Sequence, residues 1–126
     1  MVNSFDNKPK RIASFAARHK AIKIKQLLDS CTDQMPTLSA LETEFNLSRN
    51  YLQLGFQELY GTTIGNYTKS MKLKLIKELL KDYTLTLDAI AITTGYNGGE
   101  ALSRFFNTME GIRPGQWRQK NQKLIP

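Results

Sequence analysis

The chain has 126 residues and a mass of 14.4 kDa, room for one compact domain or two very small ones and not for a large multidomain enzyme. Hydrophobic residues at 40%, charged residues at 23% and aromatics at 10% make a chain that fills a core, neither disordered nor fibrous. Eighteen Lys+Arg against 11 Asp+Glu leave +7, which favours a polyanionic partner, while one cysteine and one histidine exclude an intramolecular disulfide and the multi-ligand zinc centres.

The periodicity is helical throughout. A first helix, opening at Ile12 or Arg18 and ending at Ser30, carries Ala17, Ala21, Ile24, Leu28 and Cys31 on one face, so Cys31 is expected as a small core residue. Met35-Pro36 breaks the chain. Thr37 caps a short helix with Leu38, Leu41 and Phe45 inside, and Asn46 ends it in the left-handed region that asparagine tolerates. Ser48 caps the next helix, whose expected apolar stripe is Tyr51, Leu52, Gly55, Phe56 and Leu59, up to Gly61. A long helix follows from Ile64 to Asp82, with Tyr67, Met71, Leu75, Ile76, Leu79 and Leu80 inside and its five lysines mostly outside, on a solvated face. Thr86 caps a short helix with Leu87, Ile90 and Ala91, and Gly95 ends it. Asn97 or Gly98 opens a helix with Leu102, Phe105, Phe106 and Met109 inside, closed by Gly111, and Pro114 starts a last helix with Trp117.

The order of elements repeats. Thr37, Leu38, Leu41, Asn46 and Leu47 overlay Thr86, Leu87, Ile90, Gly95 and Tyr96 at an offset of 49. After one inserted residue, Leu52, Phe56, Gly61, Ile64, Gly65 and Tyr67 overlay Leu102, Phe106, Gly111, Pro114, Gly115 and Trp117 at an offset of 50. One supersecondary unit is used twice: a short helix, a tight turn on a left-handed residue, a second helix and a closing glycine, which is the order of a helix-turn-helix. In that arrangement the second helix projects its N-terminal residues toward a major groove. Tyr67 and Trp117 are expected to seal the two units from inside, and His19 to lie on a helix surface.

Within these units, Leu52-Gln-Leu-Gly-Phe56 through Tyr67, followed by Lys72-Leu-Lys-Leu-Ile-Lys-Glu-Leu-Leu80, and then Ile90-Ala-Ile-Thr-Thr-Gly95-Tyr96, Leu102-Ser-Arg-Phe-Phe106 and Gly111-Ile-Arg-Pro-Gly-Gln-Trp-Arg118, resemble the DNA-binding domain of the AraC/XylS family of bacterial transcription regulators. The resemblance runs over about residues 18 to 120. It implies an all-α, homeodomain-like architecture of about seven helices, with two helix-turn-helix units joined by a long linker helix. The expected division is 1–17 as a basic arm or extension of the first helix, 18–62 as the first unit, 63–82 as the linker, 83–121 as the second unit and 122–126 as a tail. It also implies a sequence-specific binder of double-stranded DNA that inserts two recognition helices into successive major-groove segments, activating transcription through RNA polymerase. Many relatives carry a ligand-binding or dimerisation domain ahead of this one; this chain has no room for it, so a small stand-alone regulator and an excised C-terminal domain both fit.

The positions matching the family's base-reading places are Arg49, Asn50 and Gln53 in the first unit and Gly99, Glu100, Ala101 and Arg104 in the second. Their chemistry suits the groove: Arg spans guanine O6 and N7, Asn or Gln pairs with adenine, Glu accepts from cytosine N4, and Ala touches a thymine methyl. Polar residues at a helix start also serve as caps or simply face solvent. The phosphate candidates are Arg18, Lys20, Arg113 and Arg118, with backbone N–H groups at the helix starts Thr37, Ser48, Thr86 and Asn97.

No nucleotide-binding glycine motif, His-Glu-x-x-His or nucleophile with a nearby histidine is present, so neither catalytic residues nor a cofactor or metal are expected. No run approaches the roughly 20 apolar residues of a membrane helix, and charges interrupt the segment up to Lys25, which points to a cytoplasmic protein without signal peptide or membrane partner. The rival function is a protein-interaction module of the same fold that contacts RNA polymerase or another regulator without reading DNA, motivated by Glu100, Leu54 and the pair Gly98-Gly99. A purely structural helical protein would show no DNA-dependent behaviour.

Overall fold

The computed structural model describes residues 14–122. The expected arm at 1–17 therefore lies mostly outside the described residues, as does most of the tail. Seven helices follow one another, α1 (Phe15–Ser30), α2 (Leu38–Phe45), α3 (Arg49–Tyr60), α4 (Ile64–Leu80), α5 (Leu87–Thr93), α6 (Gly99–Glu110) and α7 (Pro114–Gln122), with no strand among the described residues. The chain divides into two compact units, the first closing at Cys31 and resuming over Pro36–Lys69, the second taking Thr32–Met35 and the chain from Ser70 onward. No helix among the described residues is long and apolar enough to cross a membrane.

In the first unit, the Ser14 hydroxyl accepts from Ala17 N at 3.0 Å and starts α1, whose buried row Ala17, Ala21, Ile24, Leu28 follows the helical period. That row packs against Leu52, Gly55 and Phe56 of α3, with Leu41 of α2 and Ile64 of α4 also buried. The Thr37 hydroxyl accepts from Ala40 N at 3.1 Å, and Asn46 closes α2 at φ 51°, ψ 50°. Gly61 closes α3 at φ 72°, the left-handed region where a side chain is strained. The ring of Phe56 meets those of Tyr60 and Tyr67 at 4.9 and 5.5 Å.

The second unit repeats the plan around Ile76, Leu80, Ile90, Ala91, Leu102 and Phe106, with Tyr96, Phe105 and Trp117 packed on that core. The Thr86 hydroxyl accepts from Ala89 N at 3.0 Å, as Thr37 does in the first unit. Buried Thr94 turns its hydroxyl back to Ile90 O at 2.8 Å, and Gly95 follows at φ 95°. Trp117 meets Phe106 edge-on at 6.1 Å, the counterpart of Tyr67 on Phe56.

Several expected placements are corrected. Tyr51 is 57% exposed, and Leu59 and Met109 are exposed as well, so the apolar stripes of α3 and α6 are narrower than their compositions suggest. Cys31 is half-buried and serves as the C-cap of α1, its N–H donating to Leu28 O at 3.3 Å. The linker helix stops at Leu80, where Lys81 and Asp82 turn back onto Glu78 O and Leu79 O. Of the two expected openings of the second recognition helix, Asn97 and Gly98, it is Gly98 that precedes the first residue of α6.

Candidate nucleic-acid interface

The exposed start of α3 carries Arg49, Asn50 and Tyr51. Tyr51 overlays Ala101, a candidate reader, in the repeat, so the repeat carries a signal for its outward placement that the apolar stripe of α3 hides. Gln53 is half-buried, and its Oε1 accepts from Ile64 N at 2.9 Å. That bond caps the first turn of α4 with a side chain from the recognition helix, so the carbonyl end of Gln53 is spent within the unit. Its repeat equivalent, Ser103, is buried.

Neither recognition helix is capped by the residue before it. Ser48 makes no side-chain cap; the Glu42 carboxylate of α2 instead accepts from Arg49 N at 2.7 Å and pairs with the Arg49 guanidinium at 3.5 Å, while Arg49 Nη2 donates to Ser39 Oγ at 3.3 Å. In the second unit, Asp88 Oδ1 of α5 accepts from Gly99 N at 2.7 Å. A carboxylate at a helix N-terminus satisfies an orphan N–H and complements the helix dipole. The starts expected to meet phosphates at Ser48 and Asn97 thus already hold an anion from the preceding helix. The side-chain oxygens of Thr37 and Thr86 similarly occupy one N–H each.

Gly99 has a packing reason to be glycine. A Cβ there would lie 2.8 Å from Asp88 Oδ1, so the residue makes room for the carboxylate and brings no side chain to a base edge. Half-buried Ala101 lies in the first turn of α6, and Arg104 one turn further on is 67% exposed. Glu100, 69% exposed, takes Arg104 at 3.7 Å and Arg113 at 3.9 Å. The three groups form one surface network at the open end of α6.

The phosphate candidates divide. Arg18 pairs with Glu58 at 3.3 Å on the surface. Lys20 Nζ donates to Phe45 O at 2.5 Å, so its charge caps the C-terminus of α2. Arg118 is a staple: Nε donates to Leu80 O at 2.9 Å, Nη1 to Leu85 O at 2.8 Å and Nη2 to Asp82 O at 3.2 Å, with the guanidinium over Tyr83 at 5.5 Å. With three nitrogens turned to the last residue of α4 and the turn that follows it, Arg118 joins α7 to that segment and has little left for a phosphate.

Basic residues beneath the helices are likewise engaged. Lys25 bonds Asp29 at 2.8 Å and stands over the rings of Tyr60 and Tyr67 at 5.5 and 5.6 Å, while the Tyr67 hydroxyl donates to Asp29. The hydrogen bond to Asp29 raises the Lys25 ammonium above the ordinary lysine range, and burial raises the Tyr67 hydroxyl, helped by Asp29. In the second unit Lys77 bonds Glu110 at 2.7 Å and stands over Trp117 at 5.9 Å, and Lys72 covers Tyr96 at 5.1 Å and Phe105 at 5.7 Å. Lys72 and Lys77 are therefore partly buried lids on aromatics, while Lys69, Lys74 and Lys81 keep the exposed positions expected of the linker lysines.

Comparison with known proteins agrees with this geometry. A family model described as a helix-turn-helix domain matches residues 41–120. The melibiose operon regulatory protein of Escherichia coli K12 is 26% identical over 110 residues, covering 85% of this chain and 36% of the relative. The multiple antibiotic resistance protein MarA of the same strain is 26% identical over 106 residues, covering 82% of this chain and 84% of MarA. The chain thus spans little more than a third of the melibiose regulator and most of MarA. Among solved structures, the C-terminal domain of the two-component response regulator yesN from Fusobacterium nucleatum superposes with a TM-score of 0.66 at 28% identity, over 75% of this chain and 93% of that one. The DNA-binding domain of AdpA, solved in complex with a target DNA, shares the fold at a TM-score of 0.67 and 17% identity, over 86% of this chain and 96% of that one. The chain belongs to the helix-turn-helix domain family, in its AraC-type group of transcriptional regulators.

Proposed function

We propose that the chain binds a specific double-stranded DNA site as a monomer, with α3 and α6 in successive major-groove segments, and acts in the bacterial cytoplasm as a transcriptional activator that touches RNA polymerase. The observation that carries this reading is the unequal start of two recognition helices built on one plan: exposed Arg49, Asn50 and Tyr51 on α3, and half-buried Ala101 with exposed Arg104 on α6. Two different reading heads in one chain favour an asymmetric site over a palindrome. Names among the relatives, a regulatory protein of the melibiose operon and a positive regulatory protein of the F1 operon, support regulation and, in the second, activation.

The test is a salt titration on a duplex selected from a random pool and on a scrambled duplex. A specific DNA binder loses affinity linearly on a log–log plot, at a slope near −0.9 per phosphate neutralised, and prefers the selected duplex by at least about 1,000-fold. Equal, weak binding to both duplexes, with retention of a regulator or polymerase subunit, supports the interaction-module reading instead.

A further inference from the structure

The resemblance makes Glu100 of α6 a base-reading place, yet among the described residues its carboxylate takes two guanidinium partners, Arg104 at 3.7 Å and Arg113 at 3.9 Å, from two different parts of the second unit. The carboxylates at the starts of the recognition helices, Glu42 and Asp88, each hold a helix N–H, while Glu110 holds Lys77 and Glu58 pairs with one guanidinium among the described residues, that of Arg18. Glu100 holds no backbone group among the described residues, and all three members of its network are more than half exposed. A carboxylate placed among the cations of a DNA-facing surface opposes a polyanion twice. It repels phosphates directly, and it occupies the two arginines that would otherwise meet them.

Resting on the DNA-binding reading above, we propose that Glu100 is a built-in counter-ion of Arg104 and Arg113 that lowers the affinity of the second unit for polyanions of any sequence, instead of reading cytosine. Binding then exchanges one set of ion pairs for another: the guanidiniums leave the carboxylate for phosphate or guanine oxygens, and Glu100 is left to solvent. Because the same pairs break on every duplex, the residue sets the strength of binding without setting its preference. Both arms lie on the surface, where single pairs are weak and salt-sensitive, so the attenuation is a matter of several-fold.

The test compares wild type, Glu100→Gln, Arg104→Ala/Arg113→Ala and the triple variant on the selected duplex, on a scrambled duplex and on heparin, a polyanion with no base edges. Glu100→Gln is expected to bind both duplexes about 3- to 10-fold more tightly, preserve their ratio within about twofold, steepen the salt slope by about 0.9, and elute later from heparin. In the arginine-less background the same substitution should give less than half of that gain. A selective loss on the selected duplex would make Glu100 a base reader and overturn the proposal, and so would a gain of the same size with or without the two arginines. The heparin arm separates the two readings: if no duplex is preferred but the arginine-dependent shift on heparin stands, specific DNA recognition fails while the counter-ion role survives; if that shift is absent, the counter-ion role fails.

Discussion

Gly55 lies in the middle of α3, where helix propensity alone says that Ala would be better by about 0.8 to 1 kcal/mol. The packing of α1 on α3 reverses that sign. A Cβ on Gly55 would stand 2.6 Å from Ala17 O, 2.8 Å from Ala17 C and 3.2 Å from Arg18 N. All three are backbone atoms of α1, so no rotamer change relieves the contact. Reaching an ordinary separation of about 3.4 Å requires the helices to part by about 0.8 Å, and gaps of that size forfeit a quarter to a half of each dispersion contact they open. The contacts opened are those of Ala17, Ala21, Leu52 and Phe56, all fully buried. Overpacking of this kind costs about 3 kcal/mol at the upper end of its range; less the propensity gain, Gly55→Ala should destabilise the first unit by about 2 kcal/mol. With a urea m-value of about 1.5 kcal/mol/M, the unfolding midpoint followed by circular dichroism should fall by about 1.3 M. Gly65→Ala, in a helix with nothing within 4 Å of its Cβ, is the control and should show no loss. A Gly55→Ala midpoint at or above that of the wild type refutes the close-approach reasoning.

Gly99→Ala should displace the Asp88 carboxylate and cost about 1 kcal/mol of stability, the worth of a helix cap; a double-mutant cycle with Asp88→Ala should show most of that cost gone, and additive losses would contradict the coupling. Arg118→Ala removes three hydrogen bonds to carbonyls and should cost about 2 kcal/mol in urea unfolding, with Arg118→Lys recovering little because an ammonium cannot span Leu80, Asp82 and Leu85; an unchanged midpoint in either variant contradicts the staple. Burial pushes the Tyr96 hydroxyl up to about 12, above its unfolded value near 10, so its contribution is fully present below about pH 10 and lost as pH rises toward 12. Tyr96→Phe should flatten alkaline unfolding over that window, and an unaltered alkaline limb would show the ring to be less buried.

The sequence made the fold legible because helix starts, left-handed stops and the repeat agreed with one another. Thr37 and Thr86, Gly61 and Gly111, Tyr67 and Trp117 occupy equivalent positions in both units. The candidate site was less legible because residue type does not reveal what a charge is already bonded to. Lys20 and Arg118 read as free cations, but each caps carbonyls that lie far away in sequence. Ser48 read as a cap, yet Glu42 from the preceding helix takes that role, and Gly99 read as part of the reading surface because the carboxylate it accommodates, Asp88, lies eleven residues earlier. Tyr51 was hidden by composition: an aromatic next to buried Leu52 counts toward an apolar stripe until the repeat places it opposite Ala101.

The central claim is that each unit reads its own segment of one DNA site. The most direct measurement is selection of a random duplex pool at physiological salt by the wild type, Asn50→Ala and Arg104→Ala. One asymmetric motif is predicted, relaxed at one group of positions by Asn50→Ala and at a second group, about one helical turn away, by Arg104→Ala. A pool that stays random for the wild type, or two variants that relax the same positions, would contradict it.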